Sequence, residues 1–166
     1  MSEYRLDGIT ERDLHQIAEW RNAQRDVLRT PGFTHQAMQR DWLIEMRKAG
    51  GLVAAIRGDG ANAASARIGQ GGSSLNLFGY VALYPLHGDY AELGWLHGEG
   101  ISDKQCVHLG IQFARASGLV FLIAETRGKG GAELVSRRDA LETAGFYMTG
   151  GIAHGEHWGA LWSLAL

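Results

Sequence analysis

The stretch Ala91-Glu92-Leu93-Gly94-Trp95-Leu96 decides how this chain is read. It is an apolar strand carrying one carboxylate, and it runs through His97-Gly98-Glu99-Gly100-Ile101 into Ser102-Asp103-Lys104-Gln105, where a helix begins. Ser102 followed three residues later by Gln105 has the form of a capping box, in which each side chain satisfies the other residue's backbone N–H. Val107, Leu109, Ile111, Phe113 and Ala114 then supply a helix interior that ends near Gly118. Strand, glycine-bearing turn and helix N-terminus in succession gather free N–H groups and the positive end of the helix dipole, an arrangement that holds anions. The passage predicts a cofactor phosphate site.

Upstream of it, Leu75 to Leu83 and Tyr90 to Leu96 read as strands joined through Pro85-Leu86-His87-Gly88-Asp89, a turn that suits an antiparallel hairpin. Tyr4 to Leu6 is a short first strand. Thr10-Glu11-Arg12-Asp13 opens a helix whose apolar positions Leu14, Ile17, Ala18, Val27 and Leu28 follow helical spacing until Pro31-Gly32 breaks it. Thr34 caps a second helix running to about Lys48, with Met38, Trp42, Leu43 and Met46 on one side. Leu52 to Ile56 is a strand, and the small-residue stretch from Gly58 to Ser74 has no apolar face and reads as a mobile loop. Downstream come a buried strand at Val120 to Ala124 and a helix from Leu134 to Ala144 stopped by Gly145. Two last strands follow, at Phe146 to Ile152 and Trp158 to Leu164. This order predicts a single three-layer mixed α/β domain over residues 1–166.

Composition narrows the partners. A chain of 166 residues is long enough for one core of its own. A net charge of −2, a pI near 6.4 and no run of like charge argue against tight electrostatic binding to nucleic acid or anionic lipid, so a small partner is expected. The lone Cys106 excludes an internal disulfide and fits a reducing compartment; at an apolar helical position it reads as core filler rather than a catalytic thiol. No apolar run reaches the roughly 18 residues that span a bilayer, and Met1-Ser2-Glu3-Tyr4 has no signal pattern, so the protein reads as cytoplasmic. The seven histidines form no helical pair with a carboxylate partner, and no metal is expected.

Leu141-Glu142-Thr143-Ala144-Gly145-Phe146, which closes the last helix, resembles an ending frequent in the GCN5-related N-acetyltransferases. Ala91 to Gly94 looks like the fourth strand of that family. Ile17-Ala18-Glu19-Trp20-Arg21-Asn22-Ala23-Gln24 looks like a helix of the branch related to ribosomal-protein and nucleotide-sugar acetyltransferases. The likeness spans nearly the whole chain and implies a mostly antiparallel sheet of about seven strands with helices on both faces. It implies transfer of an acetyl group from acetyl-coenzyme A to a primary amine of a small molecule or a protein N-terminus.

By that resemblance the fourth strand splays from the fifth. Leu93, Gly94, Trp95 and Leu96 would hold the pantetheine arm, and Gly98, Gly100 and Lys104 the pyrophosphate. Glu92 would be the base that takes a proton from the amine. The slot before Glu142, often the tyrosine that protonates the leaving thiolate, holds Leu141, so Ser102, Ser136 or Tyr147 would have to substitute. Arg21 and Asn22 would orient the acceptor, Arg21 by gripping a carboxylate or phosphate in two places.

The loop departs from the family pattern. Its arginine or glutamine with spaced glycines is missing, and Glu99 and Asp103 bring negative charge; a literal copy stands later, at Arg127-Gly128-Lys129-Gly130-Gly131-Ala132. Two other readings stay open: a binding module of this shape without catalysis, and an enzyme of this shape that modifies a nucleic-acid base. The second would need a basic patch from Arg21, Arg25, Arg29 and Arg40. Trp95, Trp158 and Trp162 could stack bases, but alternating strand positions favour core or dimer contact, which leaves a homodimer open.

Overall fold

The computed structural model describes residues 4–28, 32–58, 76–128, 131–154 and 157–166. Its elements run β1 (Arg5–Asp7), α1 (Asp13–Ala23), α2 (Gln36–Lys48), β2 (Leu52–Gly58), β3 (Asn76–His87), β4 (Tyr90–His97) and α3 (Asp103–Ala116). They continue with β5 (Phe121–Arg127), α4 (Ala132–Thr143), β6 (Tyr147–His154) and β7 (His157–Ala165). The strands form one seven-stranded sheet in the order β1-β2-β3-β4-β5-β7-β6. Every neighbouring pair is antiparallel except β4 and β5. This is the α/β, mostly antiparallel, seven-stranded architecture expected from the sequence.

Both faces of the central strands are covered, which is why β4 reads as an almost continuous apolar run rather than an alternating one. Ala91, Leu93 and Trp95 point into a core shared with Cys106, Val107 and Ile111 of α3 and with Ala140 and Leu141 of α4. Leu96, with Tyr80 and Ala82 of β3, points the other way, into a core with Leu14 and Ile17 of α1 and Leu43 and Met46 of α2. Burying apolar area on both faces at about 25 cal/mol per Å² is the main source of stability for such a sheet.

Three local expectations need correction. The first helix stops at Ala23 instead of reaching Leu28; a 3-10 turn over Arg25–Val27 follows, and Val27 is buried from that turn. Thr34 does not cap α2. His35 holds the N-cap position without a side-chain bond; the Thr34 hydroxyl accepts instead from Gln39 Nε2 at 2.6 Å, and the Thr34 N–H and carbonyl are both taken by the side-chain amide of Asn22, each at 2.9 Å. The hairpin strand β3 runs past Leu83 to His87, with Pro85 accommodated at a register shift, where its missing N–H does least damage. The turn is then Gly88-Asp89, with Gly88 in the left-handed region at φ +56°.

The capping box at Ser102 and the left-handed Gly145 (φ +91°) stand as expected. The loop reading falls largely on residues 59–75, outside the described residues.

Candidate active site

β4 and β5 begin as parallel neighbours and then part. Tyr90 pairs with Phe121, Ala91 with Leu122 and Glu92 with Ile123, and there the ladder ends. β4 keeps its other neighbour, β3, as far as Gly79 opposite His97, while β5 continues along β7 as far as Arg127 opposite Gly159. Among the described residues, Leu93 to His97 therefore have no strand partner on the β5 side. The result is a wedge. Because the two strands are parallel, the wedge opens at the end of the sheet where each strand leads towards the N-terminus of its helix, α3 or α4.

The backbone facing the wedge can be assigned. Arg137 Nη2 donates to the Trp95 carbonyl at 3.2 Å from the α4 side, which places that carbonyl on the open edge. The N–H and carbonyl of a strand residue point the same way, and the direction repeats every second residue. Leu93 and Trp95 thus present main chain towards the wedge, whereas Gly94 and Leu96 present theirs to β3.

Glu92 is the last residue of β4 in register with β5, and it is half-buried. Directly across the β3–β4 ladder stands Tyr84, packed in the α1/α2 layer. Its ring lies against Gly94, where a Cβ would come within 2.9 Å of Tyr84 Cε2, so the glycine admits the ring. Burial, with Tyr80 and Glu92, pushes the Tyr84 phenol above its ordinary range, against the opposing influence of Arg21 and of the neighbouring Trp42. A carboxylate, a neutral phenol and a guanidinium thus gather on one face of the sheet beside the start of the wedge. Tyr84 was missed in the sequence; its only signal is the hairpin register that sets it opposite Glu92.

The turn from β4 to α3 is laced from within. Gly98 N–H donates to the Phe78 carbonyl at 2.9 Å, the Tyr4 hydroxyl donates to the Gly100 carbonyl, and Gln24 Nε2 donates to the His97 carbonyl. Gly98 is where Trp20 seats: a Cβ there would lie 2.5 Å from Trp20 Nε1. Gly100 sits at φ +93°, a conformation glycine adopts without strain. Ser102 is exposed and closed into the capping box, its Oγ accepting from Gln105 N–H at 3.3 Å and its N–H donating to Gln105 Oε1 at 3.0 Å. Lys104 is exposed and paired with Asp139 at 2.7 Å.

Asp103 turns inward instead of towards the mouth. Its carboxylate accepts from Trp95 Nε1 and from Ser136 Oγ, both at 2.6 Å, and lies 3.3 Å from His97 Nε2, which ties β4, α3 and α4 together. Burial raises its pKa, but the hydrogen bonds from His97, Ser136 and Trp95 and the charge of Arg137 outweigh that and bring it down to about 2. For His97, burial pulls the pKa down, and hydrogen bonds to Asp103 and the Gly98 carbonyl carry it above the ordinary value.

The remaining candidates separate. Asn22 clamps the backbone of Thr34 with both ends of its amide, so it braces the approach to α2. Arg21 is close enough to Tyr84 to act on it electrostatically. Arg25 lies over the Phe33 ring at 5.4 Å, Arg40 is paired with Glu11, and Arg29 lies outside the described residues. Ser136 serves Asp103, Leu141 is fully buried core, and Tyr147 is exposed on the outermost strand, two strands beyond β5.

Cys106 is buried and its thiol is pushed up by burial, which keeps it an inert filler. Trp95 and Trp162 are core residues, Trp162 Nε1 donating to Thr126 Oγ1 at 2.9 Å; the Trp158 side chain lies outside the described set. Arg127 of the competing loop is paired with Glu125 at 2.9 Å, and residues 129–130 are outside the described residues. Among the described residues no group of three His, Cys, Asp or Glu is placed to hold a metal ion, and no helix is long and apolar enough to cross a membrane.

A seven-stranded sheet parted between its two parallel central strands, with two helices on each face, is the fold of the N-acetyltransferases of the GNAT superfamily. Among solved structures, a ribosomal-protein-alanine N-acetyltransferase from Brucella melitensis matches with a TM-score of 0.70 at 17% identity, covering 99% of each chain. A GNAT superfamily phosphinothricin acetyltransferase from Sinorhizobium meliloti, in complex with acetyl-CoA, matches with a TM-score of 0.71 at 15% identity, over 99% of this chain and 88% of that one. A GNAT-family acetyltransferase from Bacillus anthracis gives 0.70 at 14% identity, over 99% and 96%. No protein-family model matches the sequence, and no curated protein matches it. At such identities the likeness establishes the fold.

Proposed function

We propose that this chain is an acyltransferase that moves an acetyl group from acetyl-coenzyme A to a primary amine of a small molecule or a protein N-terminus, by direct attack. The observation that carries this reading is the wedge. A strand edge left open from Leu93 to His97, beside a carboxylate at the point of parting, is a place where an extended amide-bearing arm can pair as an added strand. The solved complex of the same fold with acetyl-CoA supports the choice of donor.

The residues present fit such an arm through main chain: Leu93 offers its N–H and carbonyl and Trp95 its N–H, the Trp95 carbonyl being held by Arg137, while Gly94 and Leu96 hold the edge straight against β3. Gly98, Gly100 and Lys104 border the mouth. The donor supplies a thioester whose carbonyl carbon the amine attacks, so that a C–N bond forms and the C–S bond breaks. Glu92, directly or through water, takes the proton the amine loses, and the departing sulfur takes up one from solvent. Wedge N–H groups facing the carbonyl oxygen stabilise the charge that develops there. Arg21, with Tyr84 beside Glu92, orients the acceptor on the α1/α2 face, and positioning does most of the work.

A second reading is a binding module of this shape without turnover. It is favoured by the closed capping box at Ser102 and by Leu141, which leaves no hydroxyl in that slot of α4. Calorimetric titration with acetyl-coenzyme A and a thiol-release assay over a panel of amines separate the two. Saturable binding with thiol release supports the transferase, binding without release over the panel supports the module, and absence of binding rejects the transferase.

A further inference from the structure

The wedge is bordered by a side chain that the sequence does not assign to it. Arg137 lies one and a half turns into α4 and is 6% exposed. Its guanidinium is over the Trp95 ring at 4.8 Å from the centroid and donates to the Trp95 carbonyl, on the edge that β5 has abandoned. Asp103, anchored by Trp95 and Ser136, sets a negative charge near it without touching it. A guanidinium carries five N–H donors. Among the described residues, one acceptor engages them, the Trp95 carbonyl.

Leaving N–H donors of a buried cation without acceptors is costly unless they border a place where water or a ligand can reach. Arg137 nitrogens are not among the enclosed atoms that lack a partner; among the described residues that condition is met by Gln39 Oε1. The spare donors are therefore not fully sealed, and the nearest unpaired edge, beside the Trp95 carbonyl they adjoin, is that of the wedge. The stack on Trp95 and the nearby Asp103 charge hold the fork in one orientation, so little rotamer freedom remains to be lost on binding.

We infer that Arg137 is the side chain that recognises the acyl donor's arm: one N–H stays on the Trp95 carbonyl and the spare donors take an amide carbonyl oxygen of the arm lying in the wedge. This rests on the reading of the chain as an acetyl-coenzyme A acyltransferase. It makes Arg137 a specificity-determining residue for carriers that bear amide carbonyls, and it places recognition on the arm and not on the nucleotide.

The test compares wild type, R137M, which keeps the length and apolar stem without donors, and R137K, which keeps the charge. Each is titrated by calorimetry with coenzyme A and with pantetheine, which has the arm but neither diphosphate nor nucleoside. Circular dichroism melts confirm that each variant is folded at the temperature used. The inference expects R137M to weaken binding of both ligands by at least ten-fold, and by the same factor within two-fold, with R137K recovering part of the loss for both. Unchanged affinity of R137M for coenzyme A, or a loss confined to coenzyme A with pantetheine unaffected, overturns it while leaving the donor reading intact. Failure of the wild type to bind either ligand instead rejects the donor reading itself.

Discussion

Replacing Asp103 by asparagine probes the group that ties β4 to α3 and α4. The carboxyl falls from its ordinary 3.8 to about 2 in the folded chain, and the side chain is only 8% exposed, so solvent screening takes little from the effect. At about 1.4 kcal/mol per pH unit, the difference corresponds to roughly 2 kcal/mol of stability. The sign follows from the direction. A depressed carboxyl contributes stability that is fully present above the unfolded value of 3.8 and is lost as pH falls through about 2.

Asparagine keeps the shape and one acceptor oxygen, but it presents an NH2 group to one of Trp95 Nε1 and Ser136 Oγ, both donors at 2.6 Å, and removes the charge near Arg137. D103N is expected to unfold about 2 kcal/mol more easily than wild type at pH 7. For a chain of this length that is a melting temperature lower by about 4–8 °C. The discriminating assay is urea unfolding followed by tryptophan fluorescence at pH 7 and at pH 2.5. Wild type should lose about two thirds of its advantage over D103N between those two values, since at pH 2.5 the unfolded carboxyl is protonated while the folded one, at about 2, still keeps most of its charge. If the gap between the two proteins is the same at both pH values to within about 0.5 kcal/mol, the scatter expected of independent sites, Asp103 is not a charged clamp and the argument from its contacts is wrong.

Other substitutions test other parts. E92Q should lower the turnover rate by about 10²–10⁴, the usual reach of a general base, with coenzyme A affinity by calorimetry unchanged; full activity in E92Q would remove Glu92 from the chemistry. N22A should cost about 1–3 kcal/mol in denaturant unfolding, since it strips both bonds from the Thr34 backbone; an unchanged midpoint with a raised acceptor KM would restore Asn22 as an acceptor anchor. G79A should be among the most damaging single changes, because its Cβ would lie 2.6 Å from the Leu96 carbonyl oxygen, a backbone atom held in the β3–β4 ladder that cannot step aside. A loss above about 3 kcal/mol, or failure to fold, is expected by circular dichroism, and a normal melt would contradict that packing.

Element order and type were legible because they are set by periodicity, which is local. The capping box at Ser102, the glycine stop at Gly145 and the apolar run of β4 each carry their meaning within a few residues. The first helix was read too long because Val27 and Leu28 continue its spacing; the chain is diverted at Gln24, whose side chain bonds the His97 carbonyl across 73 positions. Thr34 looked like a cap for the same reason. Nothing near it in sequence reveals that Asn22, on another helix, already holds its backbone.

The site divides along the same line. Glu92, as a candidate, and the strand that carries it can be found from sequence, since one carboxylate in an apolar run is conspicuous. Tyr84 and Arg137 cannot, because Tyr84 becomes relevant only through the β3–β4 register and Arg137 only through the parting of β4 from β5. The acidic turn shows the same limit. In the sequence, Asp103 stands at the mouth of a phosphate site and argues against it; in the fold it points away, into Trp95, His97 and Ser136. Its charge is then spent on holding α3 and α4 against β4. An internal carboxylate that steadies the walls and a guanidinium that borders the opening leave the wedge with a net donor character, which suits an arm rich in carbonyl oxygens.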